Sequence, residues 1–195
     1  DFIEKHLSKF SEPKTDYSPK RESISTTAPY VGLKNLSSLC YINSVIQQFY
    51  MIPLFKNAIL SLPIDPKYKE EDDNDDLLFQ LEKMFYYLNY SQKEHYNPKW
   101  FVFSFKDYEG NPTNIHVQCD AQEFLSRFIE KIEEQLRNNS QKYLCNNVFE
   151  GTVRQQVKCT NPDCGNISEK KDVISHLSLD IKDCDDLKKC LAKFI

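Results

Sequence analysis

The sequence of 195 residues lacks any uninterrupted apolar run of about 18 residues, the length that predicts a membrane-spanning helix. It also lacks a surplus of positive charge, because 25 lysines and arginines stand against 29 aspartates and glutamates, for a net charge of -4. Its first residues, DFIEKHLSKFSEPK, lack the short apolar core of a signal peptide. The sequence therefore predicts neither a membrane span nor nucleic-acid binding.

The seven cysteines are an odd number at uneven spacings, in a chain whose 40% hydrophobic content is sufficient for a core. This pattern does not fit a small disulfide-bonded scaffold. Each cysteine is therefore expected to be a core residue, a metal ligand or a nucleophile. A reducing, cytoplasmic location is predicted, with the nucleus left open.

The pattern of apolar residues divides the chain into three segments. Residues 1–28 are rich in polar residues and proline, which predicts a linker or disordered tail. Residues 29–145 show helical periods. In residues 146–195, apolar and polar residues alternate over 148–157 and over 173–181. This alternation predicts a β-hairpin, which a final helix follows. Helices first and strands later predict an α+β fold.

The helices of the middle segment are bounded by recognisable signals. Ser37 or Ser38 is expected to cap the first helix and Pro53 to end it. The predicted helices are one through Leu39 and Phe49, an amphipathic one over 76–90, a short one after Pro98 and a long one over 120–136. Residues 65–76 are predicted to be an acidic solvated spacer. Both ends of the chain are expected to be cut from a longer protein.

Cys40 lies in the first turn of the first predicted helix. Unpaired backbone N–H groups and the positive end of the helix dipole favour a thiolate there. The same N–H groups can bind an oxyanion, and Asn35 can add a side-chain N–H. A free cysteine is also commonly a small buried core residue. Position alone therefore leaves both interpretations, nucleophile and core residue, open.

Two motifs carry a resemblance to a known family. The segment GLKNLSSLCYINS resembles the cysteine box of the ubiquitin-specific proteases, and its continuation VIQQFYM is most similar to the large fat-facets-like members. The matching positions are Gly32, Leu33, Lys34, Asn35, Cys40, Tyr41, Asn43 and Ser44. The segment QCDAQEFL, which begins at Gln118, is similar to the family's glutamine box. Leu39 stands where the family commonly has threonine.

The resemblance implies a papain-like cysteine protease fold. Residues 29–145 would form its helical thumb, and residues 146–195 would begin the fingers and palm. It also implies a thiol-dependent deubiquitinase that hydrolyses the bond after the C-terminal glycine of ubiquitin and needs no cofactor for catalysis. Ubiquitin and ubiquitinated proteins would be the partners.

The resemblance further assigns roles to residues of the two boxes. Cys40 would be the nucleophile, and Asn35 would help to bind the oxyanion. Gln118, Asp120 and Glu123 would contact the basic tail of ubiquitin. From the residues alone, Asp120 is expected to cap the helix that it opens.

Cys159 and Cys164 form a C-x4-C pair at the tip of the predicted hairpin. Two such thiolates can supply half of a tetrahedral zinc site. A turn that happens to contain two cysteines is the other interpretation. The resemblance implies structural zinc, shared with a second cysteine pair that this chain lacks. Cys190 is predicted to lie in the core, and Cys184 is left unassigned.

None of the four histidines matches the family's catalytic histidine. His6 lies in the predicted tail and His95 in a predicted polar loop, and His116 precedes the glutamine box and can approach the cleft. His176 has a spacing from Cys40 like that of papain-like enzymes, but it is predicted to face outward from a strand. The catalytic histidine is therefore expected to lie after Ile195, so that the chain alone would be inactive.

Two further hypotheses stay open beside the protease. One is a non-catalytic module that binds ubiquitin in the same cleft but has no base. The other is a zinc-dependent structural scaffold, in which Cys40 has no function.

Overall fold

The computed structural model describes residues 30–62, 76–91 and 93–195. The chain forms two compact units, which are divided between Leu144 and Cys145. The predicted tail over 1–28 and all of the predicted acidic spacer except Asp76 lie outside the described residues. Within the described ranges, no helix combines the length and the apolarity needed to cross a bilayer.

The first unit is mainly helical. Its helices are α1 (Cys40–Met51), α2 (Pro53–Leu60), α3 (Leu77–Tyr90), α4 (Lys99–Ser104) and α5 (Ala121–Leu136). Two short strands, β1 (Gly32–Leu33) and β2 (His95–Tyr96), pair in parallel. Pro53 was expected only to end the first helix; it is the first residue of α2, where a proline loses no hydrogen bond.

The helix α3 differs from its predicted amphipathic form. Its polar residues Gln80, Glu82 and Lys83 are buried along with its apolar ones. Asp76 caps the helix by accepting a hydrogen bond from the Phe79 N–H at 2.9 Å. The burial of α3 is therefore not confined to the apolar face that its sequence period predicts. Packing against other parts of the fold buries its polar face as well.

An aromatic cluster fills the space between α1, α4 and α5. Phe128 of α5 has no exposed surface and is its central ring. Its ring centroid lies 5.0 Å from that of Phe49, 5.8 Å from Phe124 and 6.2 Å from Phe101. Because α1 carries Cys40 and α5 opens with the glutamine box, this cluster fixes the two motifs relative to each other.

We expect Phe128→Ala to lower the free energy of unfolding by about 3–5 kcal/mol, because it removes a fully buried ring and leaves a cavity. Urea denaturation of the 195-residue chain measures this loss. Leu54→Ala is the control: Leu54 is an exposed residue of α2, and its replacement should change the free energy by no more than about 0.5 kcal/mol. Equal losses in the two variants would contradict the central position of Phe128.

The second unit consists of a hairpin and a helix. The hairpin pairs β3 (Gly151–Lys158) with β4 (Ile167–Ile174) in antiparallel register, with Gly151 opposite Ile174. The helix α7 (Leu187–Phe194) follows. A short helix, α6 (Leu144–Phe149), spans the division between the units in the sequence. The mixture of helices and strands agrees with the predicted α+β class.

The second strand was predicted over 173–181 but is β4, which ends at Ile174. The partner strand β3 begins only at Gly151, because Phe149 belongs to α6 rather than to a strand. Within the described residues, the alternating segment after Ile174 therefore has no strand to pair with. His176 consequently lies beyond the strand on which it was predicted, and its Nδ1 is 3.2 Å from the Ser175 Oγ.

Candidate active site

Cys40 is the first residue of α1, and its side chain is exposed. Its backbone N–H belongs to the first turn, where N–H groups have no acceptor within the helix. The preceding residue, Leu39, is fully buried. Leu39 thus anchors the start of α1 in the core, while the neighbouring thiol remains open to a ligand. An exposed thiol at this position does not fit the core interpretation of Cys40.

The two serines that were predicted to cap α1 do not cap it. The N-cap is Leu39, which makes no side-chain capping bond. The Ser38 N–H instead donates to the Ile115 carbonyl at 2.9 Å, and the Ser37 Oγ lies 3.3 Å from the His116 Nδ1. The serines therefore attach the loop before Cys40 to the loop before α5. His116 reaches this loop through Ser37.

Asn35 is exposed and folds back toward the start of α1. Its Oδ1 accepts a hydrogen bond from the Leu39 N–H at 3.2 Å. This bond uses the oxygen end of the amide. The Nδ2 end, which can only donate, is left available to a ligand beside the first turn of α1.

The remaining residues of the cysteine box support this loop. The Asn43 Nδ2 donates to the Lys34 carbonyl at 3.3 Å, which binds the loop to α1. The Gly32 N–H donates to the Glu94 carbonyl at 2.7 Å, and a Cβ at Gly32 would lie 3.4 Å from that oxygen. His95 was predicted in a polar loop, but it lies in β2, opposite Gly32.

Tyr41 connects the cysteine box to the glutamine box. Its ring packs edge-on against Phe124 of α5, with centroids 5.7 Å apart. Burial, and then the neighbouring Cys119 thiol, raise the pKa of Tyr41. Cys119 itself is exposed. The structure thus brings the two predicted motifs together through residues to which sequence reasoning gave no role.

The glutamine box opens α5 as predicted. Asp120 is the N-cap, and its Oδ1 accepts hydrogen bonds from the Gln122 N–H at 2.7 Å and the Glu123 N–H at 3.1 Å. Gln118 and Asp120 are both exposed just before the helix. The side chain of Glu123 is 65% exposed, and its Oε1 lies 3.9 Å from the Arg127 Nη1. This separation is too long for a strong ion pair, so Glu123 can bind another cation.

A groove of about 420 Å³ runs beside the two boxes. Residues of the segment before α5, of α5 itself and Tyr41 of α1 line it. Its lining is Tyr41, Phe105, Asp107, Asn111, Pro112, Thr113, Asn114, Val117, Cys119, Glu123, Phe124 and Arg127. The groove therefore passes the residue next to Cys40 and carries carboxylates along its side.

Arg127 and Asp107 shape this groove, although neither was predicted. The Arg127 guanidinium lies 5.2 Å from the Tyr108 ring centroid and 5.6 Å from that of Phe105. The Asn111 N–H donates to Asp107 at 2.8 Å and is the main cause of the lowered pKa of Asp107. Arg127 follows Glu123 by one helical turn, a spacing that could have indicated a shared face.

The chain was compared with known proteins. The model of the ubiquitin carboxyl-terminal hydrolase family matches residues 31–183. This match includes both boxes and the hairpin. The chain belongs to the ubiquitin carboxyl-terminal hydrolase family. Membership confirms the predicted family and implies the papain-like cysteine protease fold.

Several members of the family are similar to the chain. Ubiquitin carboxyl-terminal hydrolase 24 of Mus musculus is 29% identical over 182 residues, which is 92% of this chain and 7% of that protein. Ubiquitin carboxyl-terminal hydrolase 34 of Homo sapiens is 34% identical over 84% of this chain and 4% of that protein. Ubiquitin carboxyl-terminal hydrolase puf of Drosophila melanogaster is 30% identical over 90% of this chain and 4% of that protein. The chain spans less than a tenth of the length of these relatives.

The cysteine knuckle, Cys159–Cys164, lies at the tip of the hairpin of this family member. The Cys159 N–H donates to the Asn166 carbonyl at 2.9 Å, and the positive φ of Gly165, +57°, allows the turn. Both thiols are exposed. A backbone hydrogen bond from Asn166, and then Cys159, lower the pKa of Cys164. In the described part of the chain, no group of three or more metal-ligating side chains occurs.

Proposed function

We propose that the chain is the N-terminal part of the catalytic domain of a thiol-dependent deubiquitinase. The first unit would be the thumb, and the second would begin the fingers. The relatives are named as ubiquitin carboxyl-terminal hydrolases, and both boxes of the chain lie within the family match. The observation that supports the proposal most directly is the exposed Cys40 at the first position of α1, with Asn35 folded toward it.

The proposed mechanism follows acyl transfer by a cysteine. The Cys40 thiolate attacks the carbonyl carbon of the C-terminal glycine of ubiquitin, and the carbonyl oxygen becomes an oxyanion. The Cys40 N–H and the Asn35 Nδ2 donate hydrogen bonds to this oxyanion. Protonation of the amine lets it leave, and water then hydrolyses the thioester and frees Cys40.

The base that accepts the Cys40 proton is proposed to be a histidine in sequence beyond these 195 residues. Among the described residues, Cys40 makes no hydrogen bond to a histidine. The His116 Nδ1 lies 3.3 Å from the Ser37 Oγ instead. The chain alone is therefore proposed to be inactive, and the tests of activity use a longer protein that contains it.

The groove is proposed to hold the extended, basic tail of ubiquitin. Glu123 and Cys119 line the groove, and Gln118 and Asp120 lie exposed on either side of Cys119 in the sequence. Carboxylates at these positions can form charge-assisted hydrogen bonds with arginine side chains of the tail. The Phe105 and Tyr108 rings contact the Arg127 guanidinium and keep its positive charge beside them, which leaves Glu123 accessible.

Asp120→Asn and Glu123→Gln test the proposed charges. Asparagine caps a helix as well as aspartate does, so Asp120→Asn should not lower the melting temperature. Each variant should raise KM for a ubiquitin substrate about tenfold, which corresponds to about 1.4 kcal/mol, with little change in kcat. Glu130→Gln, on the same helix, is the control and should leave KM unchanged. An unchanged KM in both test variants would contradict the role of these carboxylates.

The knuckle is proposed to supply two of the four ligands of a structural zinc ion, with the others outside this chain. Its two exposed thiols on one turn of the hairpin and the lowered pKa of Cys164 fit such a half-site. Bound zinc would hold the tip of the hairpin together. In a longer protein that contains the chain, Cys159→Ser should lose one zinc ion per molecule, as measured by elemental mass spectrometry, whereas the exposed Cys119→Ser should not. Equal zinc contents would contradict the assignment.

A further inference from the structure

A turn between α4 and α5 carries an aromatic side chain that the proposed mechanism does not use. The turn comprises residues 106–112, whose two ends form an antiparallel bridge. Tyr108, at its tip, is 80% exposed. Two residues of the same turn, Asp107 and Asn111, line the groove beside the two boxes. The fold thus holds a large ring in solvent next to the proposed binding groove.

The backbone of this turn is fixed by its own hydrogen bonds. The Asp107 N–H donates to the Asn111 carbonyl at 2.9 Å. The Asp107 Oδ1 accepts hydrogen bonds from the Glu109 N–H at 2.9 Å and the Asn111 N–H at 2.8 Å. Gly110, with φ of +86°, supplies the left-handed conformation that the turn requires. The backbone that carries Tyr108 is therefore ordered before any partner binds.

The ring of Tyr108 is fixed by Arg127 of α5. The Arg127 guanidinium lies 5.2 Å from the Tyr108 ring centroid, within the range of a cation–π contact. The Tyr108 hydroxyl reaches the Glu130 Oε2 only at 3.5 Å, the limit of a hydrogen bond. The fold therefore positions the ring of Tyr108 rather than its hydroxyl. Because Arg127 also lines the groove, this contact connects the ring to the groove.

The chemistry of the groove indicates which partner the ring would meet. Among the described residues that line the groove, two carboxylates, Asp107 and Glu123, stand against one cation, Arg127. Val117 also lines the groove and is 49% exposed, so it adds apolar surface. A partner with basic and aliphatic groups complements this lining better than an acidic partner does.

We propose that Tyr108 is a specificity-determining residue, whose ring packs against an aliphatic part of ubiquitin beside the tail that the groove holds. The inference rests on the proposed function of the chain. Tyrosine is enriched at protein interfaces, and a ring that is already immobilised loses little conformational entropy on binding. The ring would add affinity for ubiquitin without contacting the reacting atoms.

The same geometry makes Arg127 a positioning residue for this contact. A planar guanidinium stacks on an aromatic ring, whereas the ammonium of lysine does not. Arg127→Lys keeps the positive charge of the groove but no longer fixes the Tyr108 ring. This variant should raise KM for ubiquitin about threefold, the loss expected from one exposed cation–π contact. Added to Tyr108→Ala, it should cause no further rise, because there is no ring left to position.

The test measures kcat and KM of a longer protein that contains this chain, with a ubiquitin whose C-terminus carries a fluorophore. Tyr108→Ala should raise KM about tenfold, because it removes a positioned ring from the interface, and kcat should change little. Tyr108→Phe keeps the ring and should restore most of the affinity. Tyr143→Ala is the matched control. Tyr143 is 61% exposed and has the Lys142 Nζ 4.9 Å from its ring centroid, but it does not line the groove.

Three results would overturn the proposal. The first is an unchanged KM in Tyr108→Ala, and the second is an equal rise of KM in Tyr143→Ala. The third is a defect of Tyr108→Ala on ubiquitin joined to a protein but not on fluorogenic ubiquitin, which would place the ring against the attached protein. A further rise of KM in the Tyr108→Ala, Arg127→Lys double variant would contradict the positioning role of Arg127.

The proposed function can fail separately from this inference. A ubiquitin with an electrophilic C-terminus should label Cys40 in the unchanged protein and, more slowly at low probe concentration, in Tyr108→Ala. Labelling of both proteins at the same rate would overturn only the role of Tyr108. Absence of labelling in the unchanged protein would overturn the proposed function itself, and the inference about Tyr108 with it.

Discussion

Replacing Cys40 by alanine should abolish hydrolysis of ubiquitin substrates by the longer protein, with kcat lowered by at least about four orders of magnitude. Removal of a catalytic nucleophile leaves only the contribution of binding and oxyanion stabilisation. The folded state should be almost unaffected, because the Cys40 side chain is exposed and an exposed substitution typically changes stability by no more than about 0.5 kcal/mol. Release of a fluorophore from the C-terminus of ubiquitin measures kcat.

The control for this variant is Cys119→Ser. Cys119 is also an exposed cysteine, and it lines the groove next to Tyr41. Serine is close to cysteine in size and is also polar, so this variant should keep its kcat. Loss of activity in Cys119→Ser together with full activity in Cys40→Ala would show that Cys119, and not Cys40, is the nucleophile.

Replacing Asn35 by aspartate should lower kcat by about 10²–10³-fold, the loss typical of one oxyanion donor. The aspartate keeps an oxygen that can accept the hydrogen bond from the Leu39 N–H, which Asn35 now makes at 3.2 Å. It removes the N–H donor and adds a negative charge beside the developing oxyanion. The defect should therefore appear in kcat, while KM and the melting temperature change little.

Two companion variants separate catalysis from loop structure. Asn35→Ala loses the donor and also the bond to Leu39, so it should lower both kcat and the melting temperature. Ser37→Ala, in the same loop, removes only the contact with His116 and should keep kcat. An Asn35→Asp variant with the kcat of the unchanged protein would show that this amide does not bind the oxyanion.

The parts of the site that the sequence could predict depend on neighbours along the chain. Asp120 caps α5 because a carboxylate accepts hydrogen bonds from N–H groups two and three residues later. Cys40 was placed in a first turn by a helical period that begins beside it, and α1 does begin there. Local signals of this kind survive folding because their partners are already fixed in the sequence.

The parts that could not be predicted depend on partners far along the chain. Nothing near Gly32 in the sequence indicates that it pairs with His95, and nothing near Tyr41 indicates that its ring packs against Phe124. The alternation after Ile174 predicted a strand, but the strand ends where its partner begins, at Gly151. Each of these features depends on contacts between residues far apart in the sequence, and the local pattern of apolar residues does not predict such contacts.

The most direct test of the proposed nucleophile is a ubiquitin whose C-terminus carries an electrophile that captures thiols. After incubation with a longer protein that contains this chain, digestion and mass spectrometry locate the adduct. The adduct is expected on Cys40, and Cys40→Ala should give none. Tight binding of the probe without any adduct on Cys40 would contradict the assigned chemistry and would indicate a module that only binds ubiquitin.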